Sequence, residues 1–219
     1  MRLSVARRLG AVAVLSVMLG LGSCSLSRPA PLKHSYLLHA TRPSTAVTAE
    51  ASAPSARAST ALRVNRFVVA QPFDGRPLVY RADALRFEVD FYSEYLALPA
   101  TMVTERAIQW LSAARLFSAV VPMASSLDAA YVLEGAVTDL YGDFRDPAKP
   151  QAVIAIRFLL AREDAGSRVL LDRQFARAVP IGDRAAATLI EGIDRGLTEI
   201  LTEAEQAIAA TLPAAPRAN

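Results

Sequence analysis

Cysteine is almost absent from this chain of 219 residues: there is one, Cys24. A single thiol has no partner for an intramolecular disulfide, so no disulfide framework holds the fold. Histidine is nearly as scarce. His34 and His39 are five residues apart, a spacing that brings two side chains together on neither a helix nor a strand, so no metal site is expected. The chain lacks a Gly-x-Ser-x-Gly elbow, a phosphate-cradling glycine loop and an HExxH pair, and its acids are scattered over turns and polar faces. These absences argue against the common hydrolase, nucleotide-dependent and zinc-protease classes, and the expectation is a non-enzymatic protein without a cofactor. Charge of one sign is also missing. Arg2, Arg7 and Arg8 account for the whole formal net charge of +3, so the remainder is electroneutral and offers no broad footprint for nucleic acid. No apolar run reaches the roughly 20 residues that a membrane-spanning helix needs.

What is present begins at the N-terminus. Three arginines precede an apolar run from Leu9 to Leu21, and small residues follow, the layout of a secretory signal. The stretch Leu21-Gly22-Ser23-Cys24 resembles the bacterial lipobox, in which the cysteine thiol receives a diacylglyceryl group and cleavage leaves that cysteine first. The resemblance implies a signal peptide over 1–23 and a palmitate-bearing anchor at Cys24. Two or more acyl chains anchor stably where one is marginal, because each buried methylene contributes about 0.8 kcal/mol. Ser25 stands where enteric bacteria use aspartate for inner-membrane retention. By that resemblance the expected destination is the outer membrane, facing the periplasm.

The mature chain reads as a short proline-containing tether (24–33), one domain (34–212) and a disordered tail (213–219). Residues 41–60 are Ala, Ser, Thr and Pro with almost no large apolar side chain, too little to offset ordering entropy, and are expected to be a mobile insertion. Strands are expected at Tyr36–Leu38, Leu62–Val69, Leu78–Arg81, Leu116–Val121, Tyr131–Leu140, Ala152–Leu160 and Val169–Val179. Leu85, Phe87, Val89 and Phe91 alternate with polar residues, the period of a half-buried strand. Helices are expected after Pro99 and, capped by Asp183, over Leu189 to Ile208. The expected architecture is a single α+β domain: a mostly antiparallel sheet of about five to seven strands covered by two helices. Trp110 falls on the apolar stripe of the first helix, which favours burial, with an interface anchor as the other reading. Tyr92, Tyr95 and Tyr141 at strand ends are the further candidates for partner contact.

Several segments in order resemble the ABC-type transport auxiliary lipoproteins, the outer-membrane lipoprotein components of MCE-type lipid transport systems, including the paraquat-inducible type. They are Tyr36-Leu37-Leu38, the run Asp74 to Arg81, Tyr92-Ser93-Glu94-Tyr95 leading into Pro99 to Val103, Leu116 to Val121, and Tyr131 to Gly135. The resemblance departs at Leu96-Ala97-Leu98, where family members often carry tryptophan, and at the insertion. It implies an accessory that helps a periplasmic MCE-domain protein and its permease and ATPase move phospholipid or another hydrophobic molecule between membranes. It also implies self-association into a ring. The alternative is an envelope lipoprotein that regulates a peptidoglycan synthase from a long disordered tether.

Overall fold

The structure, a computed structural model, describes residues 32–43, 60–163 and 166–213. Contacts divide the chain after Leu32, and the unit from Lys33 onward is the domain described below. The signal segment, Leu21, Gly22, Ser23, Cys24, most of the tether, most of 41–60 and the tail beyond Pro213 lie outside the described residues.

The longest strands set the architecture. β7 (Tyr131–Asp143) and β8 (Gln151–Arg162) pair antiparallel along their whole length, from Tyr131 opposite Arg162 to Asp143 opposite Gln151. β9 (Arg168–Pro180) continues the meander on the far side of β8. The other edge of β7 is shared by three short strands laid end to end and all parallel to it. β2 (Leu62–Val64) lies beside Tyr131–Leu133, β3 (Val68–Val69) beside Ala136–Val137, and β4 (Pro77–Arg81) reaches Gly142–Asp143. β5 (Phe87–Tyr95) pairs antiparallel with β4, β1 (His34–Tyr36) parallel with β5, and β6 (Val120–Pro122) parallel with β2.

Side-chain alternation then divides the sheet into a helix-covered face and an outer face. On β8, Ala152, Ile154, Ile156, Phe158 and Leu160 share one face and are buried against the helices α1 (Pro99–Ala114) and α2 (Ala186–Thr211). α2 contributes Leu189, Ile193, Leu197, Ile200 and Ile208, each worth roughly 1.5–3 kcal/mol relative to exposure. The helix approaches closely because it carries glycine there: a Cβ on Gly192 would meet the Ala152 Cβ at 2.6 Å. The opposite face of β7 and β8 carries Tyr141, Val153, Arg157 and Leu159.

The α+β class, the two helices and the hairpins match the expectation, whereas the sheet is mixed rather than mostly antiparallel and has nine strands among the described residues. The physical reason is the interruption of Leu62–Val69. At Phe67 the backbone leaves the ladder, its N–H donating to Thr104 Oγ1 on α1 at 2.9 Å. The Phe67 ring crosses over Gly135 on β7 and meets Phe158 edge-on at 5.6 Å. One expected strand thus becomes two, and both follow β7 in parallel. Leu116–Val121 shrinks to β6, with Leu116 and Phe117 buried ahead of it and Pro122 inside it. Asp183 does not cap α2. Its Oδ1 accepts the Ala185 N–H at 2.9 Å in the preceding turn, and the helix starts without a side-chain cap. The insertion follows β1, so it interrupts the domain and does not lengthen the tether ahead of it.

Gly135→Ala tests the packing at the break. The added Cβ would stand 2.4 Å from the Phe67 ring, so overpacking by about 1–3 kcal/mol outweighs any strand-propensity gain. Urea unfolding should give a lower midpoint, and Phe67→Leu in the Gly135→Ala background should recover part of the loss. Additive losses would contradict this packing.

Candidate interaction surface

The described residues hold no group of three or more His, Cys, Asp or Glu side chains arranged for a metal. His34 and His39 are both exposed. A shallow groove of about 460 Å³ on the outer face, lined by Val68, Met123, Ala136 and Leu159 with Arg66 and Arg157, brings together no nucleophile and base. The surface that stands out is the β4–β5 hairpin.

Its turn is fixed by Asp83, whose Oδ1 accepts the N–H groups of Leu85 and Arg86 at 2.9 and 2.8 Å. The Ala82 N–H donates to the Arg86 carbonyl, so by antiparallel alternation Tyr80–Glu88 is the next bonded pair. Phe87 and Val89 then aim their own N–H and C=O groups at the other edge of β5. There β1 covers only Ser93 to Tyr95, and residues 87–91 have no strand partner among the described residues. The sequence pattern suggested that Leu85, Phe87, Val89 and Phe91 form a half-buried face. Instead they are 93%, 43%, 66% and 72% exposed. The pattern reported a strand correctly but not which face is covered: the helices sit on the other side, and Phe87 packs on outer-face partners, the rings of Tyr141 at 5.5 Å and Phe73 at 6.2 Å. Arg81 lies over the Phe87 ring at 5.6 Å and Lys33 over Phe91 at 5.2 Å, so a cation stands at each end of the apolar strip.

A bulge follows. Asp90 Oδ1 accepts the N–H groups of Tyr92 and Ser93 at 2.7 and 2.8 Å, while Oδ2 accepts the Tyr80 hydroxyl at 2.5 Å. Burial works to raise the Asp90 pKa, but these donors outweigh it and hold the carboxyl below its usual range. The register shifts across this bulge, with Val89 opposite Val79 but Glu94 opposite Pro77, so the alternation of the strand before it does not carry through to Tyr95. Tyr92 is exposed, its ring edge-on to Phe91 at 5.0 Å, whereas Tyr95 is buried.

Trp110 is buried as well, and its indole N–H donates to Glu205 Oε2 at 2.8 Å across the helix pair. Arg42 holds the same carboxylate through two hydrogen bonds of 2.9 Å, and the His39 N–H donates to Asp194 Oδ1 at 2.8 Å. These bonds fasten the segment after β1 along α2. Of the four candidate contact residues, Tyr95, Trp110 and Tyr141, the last packed against Phe73 and Phe87, thus belong to the interior and are withdrawn as surface contacts. Tyr92 remains. The residues missed from sequence are Phe87, Val89 and Phe91. Their alternation was visible, but an apolar alternation looks the same whether a helix or a partner covers it.

Burial pushes the Glu205 pKa up, but the donors Arg42 and Trp110 prevail and hold it below the ordinary glutamate value. Its contribution to stability is therefore complete above the unfolded-state pKa of about 4.3 and is lost as pH falls through the lower folded-state value. Trp110, the only tryptophan, reports the change directly. Its fluorescence should titrate below about pH 4.3, and Glu205→Gln should remove that transition while the protein stays folded. An unchanged acid profile in Glu205→Gln would contradict the assignment.

Comparison with known proteins comes to the same architecture and to a family. The crystal structure of protein XCC0632 from Xanthomonas campestris superposes with a TM-score of 0.68 at 18% identity, over 81% of this chain and 96% of that one. A crystal structure of an uncharacterized protein gives 0.61 at 16% identity, over 81% and 99%. At these identities the likeness is one of fold. No curated protein sequence matches the chain significantly. A family model described as "ABC-type transport auxiliary lipoprotein component" matches residues 36–205, from the end of β1 to the Glu205 clamp. The chain belongs to the family of ABC-type transport auxiliary lipoprotein components.

Proposed function

We propose that this protein is the non-enzymatic, lipid-anchored accessory of an MCE-type ABC transport system that moves phospholipid or another hydrophobic molecule between the inner and outer membranes. The observation that carries the reading is the coincidence of the family match over 36–205 with a lipobox-like Leu21-Gly22-Ser23-Cys24 that ends twelve positions ahead of it. In this reading Cys24 carries the acyl chains, residues 34–212 meet the periplasmic MCE-domain protein, and the distant ATPase supplies the energy. Exposed Tyr92 is the retained candidate for partner contact.

Affinity purification through a C-terminally tagged chain in mild detergent should recover an MCE-domain protein together with its permease or ATPase. Recovery of a peptidoglycan synthase in their place would favour the synthase-regulator alternative and overturn the proposal. Cys24→Ser should leave the domain folded and abolish incorporation of radiolabelled palmitate. Labelling that persists in the variant would remove Cys24 as the anchor.

A further inference from the structure

The exposed strip on β5 invites an occupant, and chain length suggests which one. Eight residues, 25–32, separate Cys24 from Lys33, nine residue steps in all. Even fully extended they span no more than about 30 Å. If Cys24 is lipidated, as proposed above and on which this inference rests, Lys33 is held within that distance of a bilayer. Lys33 is the residue whose ammonium group lies over Phe91. Most of the exposed large apolar side chains among the described residues lie in the same region, on β5, its hairpin and the segments beside β1. The strip is therefore at the end of the domain where the anchor joins it.

Its chemistry suits a bilayer surface. Phe87, Val89 and Phe91 share one side and Tyr92 adds an amphipathic ring; at one end exposed Lys33 has a long stem that can lift its charge toward headgroups, and at the other Arg81 is held over Phe87 with its guanidinium donating to the Asp83 and Ala84 carbonyls of the turn. A second copy fits less well. Antiparallel self-pairing centred on Val89 would set Glu88 opposite Asp90 of the other copy, like charge against like. The open edge also limits the depth. Unpaired backbone groups are not tolerated in the hydrocarbon, so the amides of Phe87 and Val89 must stay hydrated while the side chains reach below the headgroups.

We propose that the β4–β5 hairpin is a membrane-contact surface, which rests Phe87, Val89, Phe91 and Tyr92 in the interface of the bilayer that anchors Cys24. The domain then lies against the membrane on this side and leaves its helix-covered face turned away from the strip.

The test uses the lipidated full-length mature chain in vesicles of phosphatidylethanolamine and phosphatidylglycerol. Because Cys24 is the only cysteine, Val89→Cys creates the only free thiol for an environment-sensitive NBD label when Cys24 is acylated. The matched control is Val169→Cys, also an exposed valine, on β9 at the far end of the sheet. The label at position 89 should brighten severalfold, shift to the blue and be quenched by spin-labelled phospholipid, while the label at 169 keeps its aqueous emission. Phe91→Glu in the Val89→Cys chain should return the position-89 label toward aqueous emission without releasing the protein from the vesicles. Aqueous emission at both positions in vesicle-bound protein would overturn the proposal. So would a position-89 label shielded from lipid quenchers, whose protection depends on the surface density of the chain or on an added protein partner. Labelling of the parent chain separates the anchor from the contact. A parent chain that takes up label has a free Cys24, which overturns the lipidation reading and this contact with it, whereas an unlabelled parent with aqueous emission at position 89 overturns the contact alone.

Discussion

The domain depends on the pairing of β7. On one edge it is matched residue for residue by β8, and on the other it is completed by three short strands that no local hairpin could supply. Such an arrangement forces the chain between residues 62 and 81 to track β7 in parallel, which needs long-range contacts before any of the short strands is stable. The Phe67 amide on Thr104 and the Phe67 ring over Gly135 are what hold this broken edge to both the sheet and α1. The helices then close one face, and the Trp110–Glu205–Arg42 cluster ties α1, α2 and the N-terminal segment to one another.

This construction leaves the two ends of the sheet unequal. β9 lies under α2 and buries Phe175 against Phe158. At the other end β5 carries large apolar side chains on a face that no helix covers among the described residues, which also leave its backbone edge without a strand partner between the turn and β1. A free, apolar strand edge is ordinarily an aggregation hazard. A protein held beside a bilayer has a use for one, and the same geometry that makes the strip hazardous in solution gives an anchored domain a preferred side.

How much of this was legible in the sequence follows from what is local. The two helices, the β7–β8–β9 meander and the β4–β5 hairpin were visible because periodicity and turn residues are read within a few residues of one another. The parallel pairings of β2, β3 and β4 were not, since register between segments tens of residues apart leaves no local trace, and the break at Phe67 looks like a continuous apolar strand. The same limit governed the site. The alternation from Leu85 to Phe91 announced a strand with one apolar face, but whether that face is inside depends on which side the helices take. Trp110 carried surface chemistry in its residue type and interior chemistry in its place on the helical stripe, and place decided, whereas Tyr95 at a strand end read as exposed and is buried.

Both the transport role and the membrane-facing strip require the domain to sit beside a bilayer, and so depend on the anchor at Cys24. Mass spectrometry of the N-terminal tryptic peptide from the native protein is the most direct test. Because Arg28 is followed by Pro29, that peptide runs from Cys24 to Lys33. The account predicts that it begins at Cys24 and carries the added mass of a diacylglyceryl group on the thiol. A chain that still begins upstream of Cys24, or a Cys24 with an unmodified thiol, would contradict it.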